Sequence, residues 1–309
     1  MKNIKQSNYI GGQAVIEGVM MRGKNIYAMS VRNLNGDIIT EINNIKDFSK
    51  ISKILKLPII RGIVAFLNSA IMGTKILMRS AEISGQNLEI DNNPSKFEKF
   101  LSEKLGDKLN DIIIYISVTI SMILAIVLFF LLPVFLGSFF KSYVDIWFLS
   151  VVEGVIRIII FLIYLFLISK MKDIQRVFQY HGAEHKTINC FESGEDLTIE
   201  NVKKHTRLHK RCGTSFLFLV MLISMIVFFF IRTDVLIIRM ISRILLVPVV
   251  AGISYEVLRW AGKSDSILVK IISYPGMCLQ KMTTAEPDEK QIEIAISAIK
   301  VVLEEEKSE

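Results

Sequence analysis

The chain contains few cysteines and few histidines, and long stretches of it carry no charge. Only three of its 309 residues are cysteine and four are histidine. A cysteine count that is both low and odd excludes a small secreted domain held together by disulfides. The lack of long polar tracts argues against a disordered chain, and the lack of an internal repeat argues against a solenoid.

Apolar residues dominate what is there. Hydrophobic residues make up 51% of the chain and charged residues 22%, and the mean hydropathy is +0.45. This balance is too apolar for an ordinary soluble enzyme. The composition therefore predicts an integral membrane protein with soluble parts.

Four stretches are candidates for transmembrane helices, each of which needs about 20 mostly apolar residues. Residues 112–140 contain no Asp, Glu, Lys or Arg and predict a first span that ends near Pro133. Residues 146–169 and 213–231 predict the second and third spans. Residues 235–257 predict a fourth, whose internal charges and proline favour a tilted, kinked or shortened helix.

Lysine and arginine are unevenly distributed along the chain. Sixteen lie in residues 1–111, nine in 169–213 and seven in 259–309, whereas Lys141 alone lies between the first two spans. The positive-inside rule then predicts cytoplasmic termini and a cytoplasmic 169–213 loop. The first residues lack the apolar core of a cleavable signal, so we expect a multi-pass protein of the cell (inner) membrane. The net charge of +7, distributed in this way, favours a lipid bilayer as partner and no nucleic acid.

The N-terminal region, residues 1–110, predicts a small β element and one helix near the membrane. Asn35-Gly36, between the runs MSVRNL and DIITEI, is a strong signal for a hairpin turn. Residues 57–78 are apolar, but an arginine and a lysine leave only 13 uncharged residues between them. They favour an interfacial or re-entrant helix over a fifth span.

The expected fold class is an α-helical integral membrane protein with about four transmembrane helices and a small α+β cytoplasmic part. The membrane domain would cover residues 111–260 and include a cytoplasmic, histidine-rich loop at 170–213. The cytoplasmic tail, residues 261–309, has apolar residues on one helical face from Ile292 to Leu303. We expect this amphipathic helix to pack on the protein's own cytoplasmic part.

The predicted spans contain a few charged residues. Glu153 and Arg157 are four residues apart, so a helix would place them on one face. Intramembrane charges usually pair with each other, and we expect a neutralised pair that fixes helix packing in preference to an ion or proton pathway. Arg239 and Arg243 are predicted to extend to the outer interface.

All four histidines lie in the predicted cytoplasmic loop, in two His-x3-His pairs. A four-residue step on a helix places both imidazoles of a pair on one face, and zinc favours mixtures of imidazole, thiolate and carboxylate. Such histidines could instead be solvated, contact lipid headgroups or pair with carboxylates. Two matched pairs that use every histidine favour a divalent metal site, with Zn²⁺ as a candidate. The predicted ligands are His181, His185, His205 and His209, and further candidates nearby are Glu184, Cys190, Glu192 and Cys212.

Residues 181–185 read HGAEH, which fits the H-x-x-E-H pattern of inverted zinc peptidases. In that chemistry two histidines hold the metal and the glutamate takes a proton from water, so Glu184 is the predicted catalytic residue. A five-residue pattern arises easily by chance, so it is weak evidence for a peptidase. We expect a metal-dependent hydrolase without assigning its substrate. The further ligand that such a site needs would come from Glu192, His205, His209 or Glu256.

Five longer motifs are distributed over nearly the whole chain. They are GGQAVIEGVMMRG at 11–23, YHGAEHKTINCFE at 180–192, HKRCGTSF at 209–216, GISYE at 252–256 and YPGMCLQKMTTAEPDEKQIEIAI at 274–296. Together they resemble the YqhQ-like bacterial membrane proteins, which are described as proteins of unknown function or as suspected metal-dependent enzymes. The resemblance implies a multi-span inner-membrane protein whose signature is the histidine-rich loop. By position it carries the metal site onto His181, Glu184, His185 and His209 and leaves His205 outside.

Three functions are compatible with these features. The first is a metal-dependent membrane enzyme, a hydrolase with a His/Glu metal site at the cytoplasmic face. The alternative is a non-catalytic membrane scaffold or assembly factor with a structural metal or none. The third is metal or proton transport, which would use Glu153 and Arg157 together with the loop histidines. The sequence names neither a substrate nor a protein partner.

Overall fold

The computed structural model describes residues 10–45, 55, 57–85, 108–209, 212–231, 233–261 and 266–308. The chain divides into two compact units. The first is formed by Met1–Gly85, Tyr164–Ile223 and Pro248–Glu309, and the second by Gln86–Ile163 and Ser224–Val247.

The first unit contains a four-stranded antiparallel sheet. Its strands are β1 (Gly11–Val15), β2 (Gly18–Arg22), β3 (Ile26–Arg32) and β4 (Ile38–Asn44), paired in the order β1-β2-β3-β4. The hairpin predicted at Asn35-Gly36 is confirmed, because Gly36 adopts the φ of +92° that this turn requires and joins β3 to β4. The sheet is larger than the one hairpin that the sequence signalled.

Helices make up most of the rest. In chain order they are α1 (Ile60–Ile83), α2 (Lys108–Ile126), a π-helical turn (Val127–Leu131), α3 (Leu132–Ser138), α4 (Ile146–Ile168), α5 (Lys172–Ser193), α6 (Ile199–Lys204), α7 (Gly213–Phe229), α8 (Leu236–Leu245), α9 (Val247–Ala261), α10 (Ile267–Thr283) and α11 (Glu289–Ser308).

Three helices among the described residues are long and apolar enough to cross a membrane. They are α1, the continuous Ile116–Ser138 segment and α4, and the count rises to four if α8 and α9, which meet at 44°, form one broken span. Of the tilted, kinked or shortened forms expected for residues 235–257, the bend supports the kinked one. α7 is apolar but has only 17 residues, or about 25 Å of helix. About four membrane-length apolar helices were expected, and the described residues contain three or four.

The first long apolar helix does not end near Pro133, and that prediction was wrong. A π-helical turn precedes α3, and Pro133 lies at the start of α3 within one continuous helix that runs to Ser138. The first residues of a helical segment need no internal partner for their N–H groups, so a proline is tolerated there. The π turn resets the hydrogen-bonding register and lets the helix pass the proline.

Glu153 does not pair with Arg157, contrary to the expected pair. Its two carboxylate oxygens lie 3.2 Å from Arg239 Nε and 3.2 Å from Arg243 Nη2, on two successive turns of α8. Both arginines are buried, so they do not extend to an outer interface. The four-residue step between Arg239 and Arg243 lets them bracket one carboxylate.

Arg157 donates hydrogen bonds to two uncharged groups. Its Nε donates to the carbonyl oxygen of Phe129 at 2.8 Å, and its Nη1 donates to the hydroxyl of Ser224 at 2.7 Å. Phe129 lies in the π turn, where the altered register gives its carbonyl a partner outside the helix. The second unit therefore contains a buried charge cluster with three arginines and one glutamate.

A hydrophobic core in the first unit lies between the sheet, α5 and α11. The core includes Val19 and Met21 of β2, Tyr180 and Ala183 of α5, and Ile299 of α11. The tail helix thus packs on the protein's own sheet, as expected. Its apolar residues recur at helical spacing because one face of α11 is buried while the opposite face is exposed.

α1 forms one unbroken helix of 24 residues, longer than the apolar segment 57–78. Near its C-terminal end, the Ser80 hydroxyl accepts a hydrogen bond from the backbone N–H of Ile16 at 3.1 Å. A Cβ added at Gly73 would lie 3.2 Å from the side chain of Gln13 in β1. The C-terminal half of α1 therefore runs against the sheet.

Candidate functional site

Helix α5 carries the HGAEH motif through a close contact with the chain that follows α10. A Cβ added at Gly182 would lie 2.0 Å from the carbonyl oxygen of Ala285, so glycine is required for this contact. The N–H of Ala285 in turn donates to the carbonyl oxygen of Phe178 at 2.8 Å. The helix stays regular through Gly182, because the packing gained there outweighs the low helix propensity of glycine.

His181 and His185 are oriented by backbone carbonyls. His181 Nδ1 lies 2.8 Å from the carbonyl oxygen of Thr283, and His185 Nδ1 lies 2.6 Å from that of Arg207. A carbonyl oxygen can only accept, so each Nδ1 carries the proton of this hydrogen bond and Nε2 is the ring nitrogen that faces the cluster. This is the arrangement in which a histidine binds a metal through Nε2.

Cys212 lies beside the two imidazoles, immediately before α7. Its Sγ is 3.2 Å from His181 Nε2, and one ligand atom from each of His181, His185 and Cys212 lies within 4.8 Å of the others. The backbone N–H of Thr214 donates to the sulfur at 3.4 Å. A helix N-terminus favours negative charge, so this position suits a thiolate ligand.

Glu184 points into the same space and is only 4% exposed. One carboxylate oxygen lies 3.4 Å from His185 Nε2 and 4.0 Å from His181 Nε2. A carboxylate and an unprotonated Nε2 are both acceptors, so a proton or a metal ion between them would stabilise this arrangement.

Strand β1 lies directly against Glu184. A Cβ added at Gly12 would be 2.5 Å from Cγ of Glu184, so only glycine permits this approach. β1, α5 and the start of α7 line a cavity of about 600 Å³. The residues of the motif that face this cavity are His181, Glu184 and His185, and they are joined by Cys212 and His209.

His209 faces the cavity beside the three-ligand group. Its backbone N–H donates to Gln280 Oε1 and its carbonyl accepts from Gln280 Nε2, both at 2.8 Å. Its ring lies 5.7 Å from that of His185, and its Nε2 lies 3.5 Å from a carboxylate oxygen of Glu192. The structure thus brings three of the four predicted ligands, His181, His185 and His209, to one cavity.

His205 is the predicted ligand that lies elsewhere. Its Nε2 is 3.4 Å from a carboxylate oxygen of Glu195, in a separate group that also includes Cys190. Glu256, considered as a further ligand, forms a two-pronged ion pair with Arg61 of α1. The second His-x3-His pair is split because the chain has left α6 before His205 and is extended there.

Sequence reasoning missed the part that Cys212 and the backbone play in this site. Cys212 was considered only as one of several nearby groups, although it directly precedes an apolar run at a predicted helix start. The carbonyls of Thr283 and Arg207 give no sequence signal, because every residue has one.

Two further groups on α5, the Tyr180 hydroxyl and the Cys190 thiol, have shifted pKa values. Burial, and next the negative charge of Glu17, raises the pKa of Tyr180, whose hydroxyl donates to the Glu17 carboxylate at 3.2 Å. Burial, followed by Glu195 and Asp196, raises the pKa of the Cys190 thiol.

The fold and the site define a class of helical protein with three to four membrane-length apolar helices and a four-stranded sheet next to a His/Cys/Glu cluster. Residues 57–305 match the family described as "Protein of unknown function (DUF1385)", and the chain belongs to this family. It is 37% identical over 295 residues to "Uncharacterized protein YqhQ" of Bacillus subtilis (strain 168), which covers 95% of this chain and 92% of that protein. The predicted YqhQ-like membership is confirmed. No solved structure matches the chain.

Proposed function

We propose that this protein is a metal-dependent membrane hydrolase whose site consists of His181, His185, Cys212 and Glu184. The observation that carries the proposal is the convergence of three ligand atoms within 4.8 Å, next to a buried carboxylate and a cavity. Zinc binds such N and S ligands in tetrahedral geometry, and three protein ligands leave a fourth position open.

The ligand set departs from that of inverted zinc peptidases, because a thiolate takes the position expected for a downstream carboxylate. A divalent metal bound here would lower the pKa of water and act as a Lewis acid. Glu184 is placed to accept a proton from water in the cavity and to return it to a leaving group. His209, paired with Glu192, would line the substrate side.

We also propose that the apolar helices other than α1 cross the membrane and that the site lies on the cytoplasmic side. Only 11% of the apolar window in Ile116–Ser138 and 22% of that in α4 is buried within the protein. The large apolar surfaces that remain on these helices are suited to lipid. The distribution of lysine and arginine supports cytoplasmic termini.

Packing within the first unit limits the number of crossings. The sheet and α5 share one core, so both lie on the same side of any membrane. An even number of crossings must therefore separate them, although three apolar helices, α1, Ile116–Ser138 and α4, lie between them in sequence. α1 is the helix that does not cross, since its C-terminal half lies against the sheet. We therefore propose an interfacial position for α1 and four spans in total, with α7 and the bent pair of α8 and α9 as the third and fourth.

Metal analysis of the purified full-length protein tests the enzyme proposal first. We expect bound Zn, Mn or Fe in the wild type, and loss of it in His181→Ala, His185→Ala and Cys212→Ser. A wild-type protein without any of these metals, or variants that keep all of it, would contradict the proposal and favour the non-catalytic scaffold.

Glu184→Gln then separates catalysis from structure. Because glutamine keeps the shape but accepts no proton, we expect the metal to be retained while hydrolysis of a panel of fluorogenic esters and peptides falls by at least about 100-fold. The matched control is Glu200→Gln, an exposed residue of α6, which should leave both unchanged. Full activity of Glu184→Gln on any substrate that the wild type cleaves would exclude Glu184 as the base.

A further inference from the structure

A second group of metal-ligating side chains lies at the far end of α5. One ligand atom from each of Cys190, Glu195 and His205 lies within 4.8 Å of the others. Zinc bonds of about 2.0 to 2.3 Å to nitrogen, oxygen and sulfur place tetrahedral ligands about 3 to 4 Å apart, so a small movement would close the set.

The backbone holds these three residues in place. α5 ends at Gly194, whose φ of +79° turns the chain so that Glu195 follows the last turn of the helix. The turn continues to Thr198, which caps α6 by accepting from the N–H of Asn201 at 3.3 Å. His205 directly follows the last residue of α6, so α6 brings it back towards Cys190.

The chemistry of the group is not explained by a surface ion pair alone. His205 Nε2 lies 3.4 Å from a carboxylate oxygen of Glu195 and 3.5 Å from the hydroxyl of Ser193. These two contacts alone would be compatible with an ordinary solvated ion pair. Cys190, however, is fully buried, and its Sγ contacts the Asp196 carbonyl at the long distance of 3.7 Å. The buried sulfur lies within 4.8 Å of a carboxylate oxygen of Glu195 and a ring nitrogen of His205, and this combination of thiol, carboxylate and imidazole is one that a divalent metal binds.

The group is connected to the first cluster through the segment 206–209. Asn189 Nδ2 donates to the carbonyl of Thr206 at 2.7 Å and to that of Leu208 at 3.2 Å. Between them, the carbonyl of Arg207 accepts from His185. The segment therefore starts at one cluster, orients a ligand of the other, and ends at His209 in the cavity.

We propose that Cys190, Glu195 and His205 form a second divalent-metal site, best suited to zinc, which ties the end of α6 to α5. A metal there holds the 206–209 segment against α5 and so keeps the Arg207 carbonyl on His185. Binding of the metal releases the thiol proton of Cys190 to solvent. The four histidines are then divided between two sites, and His205 has a structural role.

Metal content per chain tests this proposal on the full-length protein in detergent, loaded with zinc and desalted. We expect one zinc fewer per chain in Cys190→Ser and in His205→Ala than in the wild type. The matched control is Cys278→Ser, since this cysteine belongs to neither group among the described residues. Wild-type zinc content in Cys190→Ser or His205→Ala would overturn the proposal.

Cobalt substitution provides a measurement that does not depend on counting. In the Cys212→Ser background, which removes the thiolate of the first cluster, added Co²⁺ should produce the near-ultraviolet thiolate-to-cobalt absorption, and Cys190→Ser should abolish it. Retention of the band in the Cys190→Ser double variant would overturn the second site and leave the first one untouched. A variant that misfolds is identified by its elution volume and far-ultraviolet circular dichroism, and Glu195→Gln then replaces it.

The organising role of the second site has its own readout. Outer residues that orient a ligand typically change metal affinity by about 10- to 100-fold. We therefore expect His205→Ala to weaken zinc binding by His181, His185 and Cys212 by roughly 10-fold. Equal affinities with and without His205 would show that any metal in the second group does not organise the first.

Discussion

At the scale of single residues, the contact between Gly12 and Glu184 controls the candidate base. Strand β1 can approach α5 only because Gly12 has no side chain. The same residue therefore positions the carboxylate against His185, although it carries no chemical group of its own. Such a glycine is part of the site in a geometric sense.

Gly12→Ala tests this contact. Its Cβ would meet Glu184 Cγ at 2.5 Å and force the side chain away from His185. We expect a loss of about 1 to 3 kcal/mol in the free energy of unfolding, as for other overpacked sites. Thermal or denaturant unfolding in detergent measures the stability, and zinc titration of the same sample should report a weaker site.

Gly11→Ala is the matched control for that experiment. Gly11 is the neighbouring strand residue, and a Cβ there would meet nothing within 4 Å. Its effect on unfolding should stay within about 0.5 kcal/mol. Equal stabilities of the two variants would mean that β1 does not lie against Glu184.

Part of the site was predictable at this scale, and part was not. His181, Glu184 and His185 lie on one face of one helix, so their spacing was enough to bring them together. His209 and Cys212 reach the same cavity through tertiary contacts, which local spacing does not encode. His205 was assigned to the same site because it lies four residues before His209. That spacing places two side chains on one face only within a helix, and α6 ends before His205.

At the scale of elements, the charge cluster between α4 and α8 is the least expected feature. Glu153 lies between two arginines, and all three side chains are buried. Local spacing predicted the wrong partner, because residues one turn apart on a helix can equally well face a different helix. The π turn was not predictable either, since its sequence is an ordinary apolar run.

Glu153→Gln should destabilise the second unit strongly. The substitution leaves Arg239 and Arg243 buried without their negative partner, which typically costs about 3 to 5 kcal/mol. The control is Asp234→Asn, which removes an exposed partner of Lys141 in the same unit and should cost at most about 1 kcal/mol. Unfolding in detergent, followed by circular dichroism, distinguishes the two.

A Glu153→Gln protein as stable as Asp234→Asn would mean that the arginines have partners other than this carboxylate. Restoring the original net charge of the cluster offers a further check, since Glu153→Gln combined with Arg239→Gln should recover part of the stability. Such a recovery would show that the charge cluster fixes the packing of α4 against α8. From the sequence, this role was expected for Glu153 with Arg157.

At the scale of the whole molecule, the sequence predicted the class of protein better than its details. Apolar runs, charge distribution and turn residues were sufficient for three to four long helices and a β hairpin, because these depend on local composition. The four-stranded sheet, its packing against α5 and α11, and the contact of α1 with the sheet depend on residues far apart in the chain. The inference that an even number of crossings separates the sheet from α5 required the folded structure, because it depends on the core that they share.

Reporter fusions test the proposed topology. Alkaline phosphatase, which is active only outside the cytoplasm, should be active when fused after Tyr143 and inactive when fused after Gly85 or at the C-terminus. The fusion after Gly85 is decisive, because activity there would mean that α1 crosses the membrane. Green fluorescent protein at the same positions should give the opposite pattern.

The carbonyl of Thr283, which orients His181, also determines when the site can form. The ribosome must release Thr283 and the α11 helix beyond it before the first imidazole acquires its tautomer and the core around α5 closes. A nascent chain that already contains both histidines of the HGAEH motif thus has no finished site. If the site binds a metal as we propose, its loading would be a late event in biogenesis, after the last apolar helix has left the ribosome. A chain truncated before Thr283 would lack the carbonyl that orients His181 and would not be loaded.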